Sequence, residues 1–372
     1  MSLSDIFCQD KAISALQQGL ACNRLAHAFI FAGTEGVGKF KTACEFAKLL
    51  LCEKPITKGD FSDSCSQCPS CRAFEAGTHP DFNHIYKELR EFTEEGKDKE
   101  PPINMPIDVI REFLIEKVSI RPTLSEKKVF VVSEGEKLNK ESQNALLKVL
   151  EEPPGYCTII LLCTQPENLF ATIRSRCQII RFGLIAEEKI VEKLQQSGLD
   201  KKRSQYFARL SAGSLGRARN WAQLERSDAN LCEAGNQLIS ELAGCQYADC
   251  LILADRFLKE SKRVSQLWSK IDSATSKSDL ARKAHKTFIT IIISALHDCL
   301  TLKVSPDKSI TNFEQKEQIQ KLSERFTADE FSLKISVACQ AMQQIDSNVN
   351  EKLIFHPLLL KIVSFDKIAF LQ

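Results

Sequence analysis

Cys65-Ser66-Gln67-Cys68-Pro69-Ser70-Cys71 sets three thiols at a C-x2-C-x2-C spacing. A two-residue spacer lets both sulfurs of a turn converge on one ion, and zinc in a closed structural site takes four ligands. Cys52, which closes the run Leu49-Leu50-Leu51, is the natural fourth. His79, in Gly77-Thr78-His79-Pro80-Asp81, is the alternative. Four thiolates leave no open coordination position, so the expected role is a structural Zn2+ rather than a catalytic one. A relic cluster without metal and an iron–sulfur centre are the competing readings. The rest of the 15 cysteines show no paired spacing; the nearest pair is Cys245 and Cys250, and they read as small buried apolar residues.

A second constellation is Gly33-Thr34-Glu35-Gly36-Val37-Gly38-Lys39, placed between a strand pattern and a helix pattern. Gly33, Gly36 and Gly38 let backbone N–H groups turn inward around phosphate oxygens, and Lys39 adds a full positive charge at a helix N-terminus. The next residue of a working loop is Ser or Thr, whose hydroxyl holds Mg2+. Here it is Phe40, which cannot ligate a hard cation and brings bulk to the metal position. Thr42 is rotated by about 200° around the helix and faces away. The strand Val129–Val132 repeats the message. Where a working site has a metal-holding Asp, Ser133 stands, followed by Glu134, which orients a water or caps the next turn. Efficient Mg-ATP hydrolysis is not expected, and ATP binding stays open because the backbone cradle and Lys39 survive.

A third is Ile173-Arg174-Ser175-Arg176-Cys177. Two loop arginines are ordinary surface charges taken alone. At a sheet edge, however, an arginine can reach a neighbouring subunit and stabilise phosphoryl-transfer charge there. His27, His285 and His297 read as packed or satisfied residues, and no Ser-His-Asp or Cys-His arrangement stands out.

The elements that must position these residues follow from periodicity. Ala28–Phe31, Val129–Val132, Thr158–Cys163 and Gln178–Phe182 are short apolar runs, and Lys41–Cys52 and Lys140–Glu152 repeat apolar positions at helical spacing. Strands separated by helices predict a parallel sheet covered on both faces. Beyond Phe182 the pattern turns helical, with short helices over Glu187–Gln196 and Lys202–Leu210 and a glycine turn at Ala212–Gly216. The expected division is an α/β domain over 1–182 with a cysteine module at 52–71, a small helical domain over 183–230 and a helical domain over 231–372. Glu88–Glu100 is charge-dense without periodicity and reads as a solvated loop.

The composition limits the alternatives. At 372 residues the chain holds two or three domains, and 43% apolar with 26% charged residues excludes disorder over most of it. The 50 Lys+Arg against 48 Asp+Glu leave a net charge of +2, which excludes nucleic-acid binding by bulk charge alone. The most apolar run, Phe288–Leu296, is broken by Thr290 and Ser294 and falls short of the roughly 20 residues a membrane span needs. Met1-Ser2-Leu3-Ser4-Asp5 carries no signal core, so a cytoplasmic protein with reduced thiols is expected.

These motifs together resemble the bacterial clamp-loader subunits of DNA polymerase III, within the AAA+ ATPases. The resemblance rests on Arg24-Leu25-Ala26-His27-Ala28-Phe29, the glycine loop, the cysteine module after its helix and His79-Pro80-Asp81. It rests further on the stretch Asn144–Pro154 and on Ser175-Arg176-Cys177, and covers residues 5–220. It implies an α/β P-loop AAA+ domain with a parallel sheet and an inserted zinc module, then a small helical lid domain and an all-α collar domain. Asn350–Ile362 looks like the closing collar helix, with Pro357 an awkward fit. Thr164 falls at the sensor-1 position and Arg217 at the lid's sensor-2 position. Of the two types that carry the zinc module, gamma/tau is the ATP-hydrolysing motor and delta-prime the stator. Phe40, Ser133 and the Ser-Arg-Cys motif align this chain with the stator type. The resemblance then implies Arg176 as a finger in trans for ATP on a gamma/tau neighbour, with delta as a further partner. It also implies loading of the sliding clamp onto primed DNA by the complex, with no membrane involved. The rival readings are a gamma/tau-type motor and a stand-alone zinc-containing DNA-binding protein.

Overall fold

The computed structural model describes residues 2–22, 24–59, 61–96, 102–272, 275–347 and 349–364. They form two compact units: one runs to Ile185 and includes Ser214–Gly216, the other takes the rest.

In the first unit α1 (Asp10–Ala21) leads into β1 (Ala28–Ala32), five apolar residues buried throughout. The glycine loop follows, then α2 (Lys39–Leu51). A short antiparallel hairpin, β2 (Ile56–Lys58) and β3 (Phe61–Asp63), precedes α3 (Pro69–Glu75) and β4 (Phe82–Ile85). Next come α4 (Ile107–Ile110) and α5 (Glu116–Val118), joined through a π-helical turn, and then β5 (Lys128–Val132). The helix α6 (Lys140–Glu151) starts on Asn139, whose side chain accepts the Ser142 N–H, and stops before Pro153-Pro154. β6 (Cys157–Cys163), α7 (Ala171–Arg174) and β7 (Gln178–Arg181) complete the unit.

The five main strands pair in parallel in the order β4-β5-β6-β1-β7. Successive side chains alternate between faces. Ile30, Phe130, Val132, Ile159 and Leu161 pack on one face with Val109, Leu114, Leu146 and Leu150. Phe29, Phe31, Val129, Val131 and Ile160 pack on the other with Ile13, Leu16, Ala43 and Phe46. Truncating a fully buried residue such as Phe46 to Ala costs about 3–5 kcal/mol. The helices on the second face hold α2 fixed under the sheet, so the glycine loop at its start and Cys52 at its end are both anchored.

The expected solvated loop over Glu88–Glu100 is corrected in its first half. Lys87–Phe92 is a 3-10 helix, and Leu89 packs against the core. The buried Lys87 there pairs with Glu134 at 3.7 Å. Residues 97–100 lie outside the described ones. The hairpin and the α4–α5 segment were not foreseen from periodicity.

The second unit is helical: α8 (Glu187–Gln196), α9 (Lys201–Leu210), α10 (Leu215–Leu224), α11 (Leu231–Gly244), α12 (Cys250–Ile271), α13 (Lys277–Val304), α14 (Lys316–Glu324), α15 (Ala328–Gln344) and α16 (Glu351–Val363). It begins at Ala186 and leaves Ser214–Gly216, the start of α10 included, to the first unit. Pro357 lies inside α16, which continues past it. The apolar run Phe288–Leu296 belongs to a longer helix than its polar residues suggested. Thr290 Oγ1 donates to Lys286 O at 2.7 Å and Ser294 Oγ to Ile291 O at 2.7 Å, so both hydroxyls are satisfied within the helix. Among the described residues α13 is thus the one helix long and apolar enough to cross a membrane, with half of its apolar window buried inside the unit.

Candidate functional site

The carboxyl ends of parallel strands are where α/β folds bind ligands. Here those ends carry the glycine loop after β1, Ser133 after β5 and Thr164 after β6. Gly38 caps α2 with φ 109°, a conformation that favours glycine. Lys39 is buried, and its ammonium donates to Gly33 O and to Thr34 O, the latter at 2.8 Å. The Thr42 hydroxyl donates to Gly38 O at 3.0 Å and so turns back on its own helix.

Two segments clamp this loop from outside. Gln9 Nε2 donates to Val37 O at 3.1 Å and Gly183 O at 2.9 Å, and its Oε1 accepts from Gly183 N–H at 3.0 Å. Ser214 Oγ donates to Glu35 O at 2.7 Å, and Gly216 N–H to Gly36 O at 2.8 Å. A Cβ on Gly216 would lie 2.6 Å from Gly36 Cα, so only glycine permits this approach. Arg217, the next residue, opens the part of α10 that belongs to the helical unit.

The two altered metal positions are brought together by a residue that sequence reasoning missed. His84, on β4, packs against Phe40 with ring centroids 4.6 Å apart and the rings tilted by 45°. Its Nε2 lies 2.8 Å from Ser133 Oγ, and Tyr86 flanks the same ring at 4.9 Å. Burial pushes the His84 imidazole down to about 4, so it is neutral at physiological pH. An aromatic ring, a neutral imidazole and a hydroxyl therefore occupy the side of the loop where hard oxygen ligands hold Mg2+. These residues do not fit a magnesium ion. Glu134, in a left-handed turn, directs its carboxylate to Lys137 at 2.6 Å and to Lys87 at 3.7 Å. Thr164 is engaged by another unforeseen residue: Glu136 accepts from its hydroxyl at 2.6 Å and its N–H at 3.1 Å.

Arg176 follows α7 on the rim of the unit. Its guanidinium pairs with Glu151 at 2.9 Å and donates to Thr172 O at 3.0 Å, with the side chain 36% exposed. In the helical unit His285 pairs with Glu351 at 2.9 Å, and His297 Nδ1 lies 3.5 Å from Thr301 Oγ1.

At the far end of α2, the sulfurs of Cys52, Cys65, Cys68 and Cys71 all lie within 4.8 Å of one another. The separations are 3.5 Å for Cys52–Cys65, 4.0 Å for Cys52–Cys68 and 3.9 Å for Cys65–Cys71. With zinc–sulfur bonds of about 2.3 Å, a tetrahedron has sulfur–sulfur edges of about 3.8 Å. The set therefore fits a tetrathiolate ion by spacing and by chemistry. Backbone N–H groups of Cys65, Cys68 and Cys71 point at Cys52, Cys65 and Cys68 sulfurs at 3.3, 3.3 and 3.4 Å. Amide donors from Gln67 and then Cys68 outweigh burial and hold the Cys65 thiol down at about 6. Lys48 in α2 reaches Ser66 Oγ at 2.9 Å and Glu75 at 2.6 Å, tying the knuckle to the helix. His79, the alternative ligand, is turned to other partners: Ser70 and Ser125 on Nε2 and Asp81 N–H on Nδ1.

Strand order, loop and rim arginine define a P-loop α/β unit carrying a cysteine module and joined to an all-helical unit. Two family models cover most of the chain: "DNA polymerase III, delta subunit" matches residues 8–185, and its "C terminal" counterpart matches residues 246–364. The chain belongs to the DNA polymerase III clamp-loader family of gamma/tau and delta-prime subunits. It is 35% identical over 193 residues to subunit tau/gamma of Haemophilus influenzae, covering 52% of this chain and 25% of that one. It is 28% identical to subunit gamma of Buchnera aphidicola from Schizaphis graminum, over 98% of this chain and 95% of that one. Subunit delta' of Pseudomonas aeruginosa is 35% identical over 175 residues, 47% of this chain and 48% of that one. The chain thus spans a quarter of the Haemophilus relative and about half of the Pseudomonas one.

Proposed function

We propose that this chain is a non-hydrolysing, delta-prime-type subunit of a DNA polymerase III clamp loader, acting in DNA replication. The observation that carries this reading is the Phe40–His84–Ser133 contact, which fills both metal-anchoring positions of the chain's own loop. The glycine cradle and Lys39 still suit a polyphosphate, so ATP binding is retained as a property to test, without Mg2+ in this site. Glu134, Thr164 and Arg217, engaged elsewhere or displaced from a metal role, act structurally here.

In this reading Arg176 leaves Glu151 and reaches ATP bound on an adjoining gamma/tau subunit, where its charge stabilises the transferring phosphoryl group. The Glu151 contact is exposed and weak, worth about 0–1 kcal/mol, so release is easy. Lid residues 183–230 and collar residues 231–372 join the chain to its gamma/tau and delta neighbours. The assembled complex opens the sliding clamp and closes it on primed DNA. A Zn2+ held by Cys52, Cys65, Cys68 and Cys71 cross-links the module, and it takes no part in hydrolysis.

The test is reconstitution. This chain alone should turn over no Mg-ATP, whereas its addition to gamma/tau and delta subunits should raise their DNA-stimulated ATPase and clamp loading. A chain that hydrolyses ATP alone, with the activity lost in Lys39→Ala, would make it a motor instead. Salt-sensitive DNA binding by the solitary chain, with no effect on the other subunits, would favour a stand-alone DNA-binding protein.

A further inference from the structure

A buried hydrogen-bond network lies behind the cysteine centre. Leu51 O, on the peptide leading into Cys52, accepts from Ser70 Oγ at 2.6 Å and from Ser125 Oγ at 2.9 Å. Both hydroxyl protons are thereby committed. His79 Nε2 lies 2.9 Å from Ser70 Oγ and 3.2 Å from Ser125 Oγ, so this nitrogen carries the proton and donates. Its other side agrees, because Nδ1 accepts from Asp81 N–H at 3.1 Å. Partners on both sides thus fix one neutral tautomer. His79 and Ser70 are 6% and 1% exposed, which leaves little room for water to replace either contact.

The network joins the two chain segments that supply the thiolates. Leu51-Cys52 is the end of α2, and Ser70 stands between Cys68 and Cys71 at the start of α3. Ser125 comes from a third segment, which is itself held rigidly. The Asp81 carboxylate accepts the N–H groups of Thr123, Leu124 and Ser125 at 2.7, 2.8 and 2.9 Å. A tetrahedral site needs Cys52 and the knuckle cysteines at a fixed separation, and a hydrogen-bonded outer layer supplies such constraint in metal centres.

We propose that His79 is a positioning residue for the metal, on the reading that the four cysteines bind Zn2+. Its Nε2–H, acting through Ser70 and Ser125, locks the Leu51-Cys52 turn against the Cys68–Cys71 turn. The four sulfurs are then held at tetrahedral spacing by the protein. The Gly-Thr-His-Pro-Asp stretch is thus the frame of the metal centre, with His79 holding its serines and Asp81 holding the loop that carries one of them.

The test uses the full chain loaded with Zn2+, and in parallel with Co2+ as a spectroscopic probe. Zinc release to excess chromophoric chelator should be at least about 10-fold faster in His79→Ala than in wild type. The visible cobalt–thiolate bands should shift or broaden in the same variant. His79→Gln, which restores an N–H donor of similar reach, should recover both readouts in part. Ser125→Ala removes one arm only and should give a smaller change of the same sign; it decides the matter if His79→Ala does not fold. A folded His79→Ala with wild-type release rate and cobalt spectrum overturns the positioning role. A wild-type chain that takes up neither Zn2+ nor Co2+ overturns the tetrathiolate reading itself, and with it this role.

Discussion

The two ends of α2 have fared differently. At its start the glycine loop keeps its backbone and Lys39, but the residues that would hold a metal are replaced by Phe40 and Ser133, bridged by His84. At its end, 13 residues on, the cysteine centre keeps a full ligand set at tetrahedral spacing. One helix of about 20 Å therefore joins a glycine loop without metal-anchoring side chains to four cysteines at tetrahedral spacing. The lesson is that a motif's glycines report the fold, whereas its ligands report the activity.

The cysteine end of α2 should give the largest effect. Cys71→Ser should abolish zinc retention, with metal content of the purified chain falling from one ion to near zero. Structural zinc contributes folding free energy directly, so thermal unfolding of the variant should also move down. Retained stoichiometric zinc would refute the four-cysteine set.

At the rim, Arg176→Ala should slow hydrolysis at the single adjoining gamma/tau site by about 10³-fold or more, read by single-turnover ATPase of the reconstituted complex. The subunit's own unfolding midpoint should barely change, because the Glu151 pair is exposed.

Behind the cysteine centre, Asp81→Asn should cost about 3 kcal/mol in urea unfolding, because charge-assisted bonds to buried N–H groups are weakened together. Burial raises the Asp81 carboxyl, but the amides of Thr123, Ser125 and Leu124 outweigh it and hold the group below its ordinary 3.8. A depressed carboxyl contributes stability that is present above its unfolded value and lost as pH falls through its folded one. The wild type should therefore lose this increment only below about pH 4, and the variant should show no such step.

At neutral pH the smallest effect concerns His84. Its imidazole is pushed down to about 4 from 6.5 by burial. The unfolded chain binds the extra proton first, so stability should fall as pH drops from 6.5 towards 4 and level off below. His84→Phe should flatten that slope in pH-dependent unfolding while keeping a ring against Phe40.

Contiguous motifs were legible in the sequence, and contacts across strands were not. The glycine loop, the cysteine knuckle and Ser133 each announce themselves through local spacing. His84 sits in a short stretch of mixed polarity, Phe82-Asn83-His84-Ile85, and only the parallel pairing of Ile85 with Val132 carries it beside Ser133. Glu136 and Gln9 were hidden for the same reason: their partners lie at Thr164 and at Val37 and Gly183. His79 was visible as a histidine near a metal motif, but its sequence position could not tell a ligand from a brace. The hairpin of β2 and β3 was missed because three-residue strands carry too little periodicity to read. The charge-dense segment misled because Lys87, just before it, is buried by an ion pair with Glu134, and no composition rule anticipates that.

The most direct measurement is Mg-ATP turnover by the purified solitary chain, beside its Lys39→Ala variant. The metal side of the glycine loop is filled by Phe40, His84 and Ser133, so the two proteins should be indistinguishable at background. Magnesium-dependent turnover that disappears with Lys39 would contradict the account.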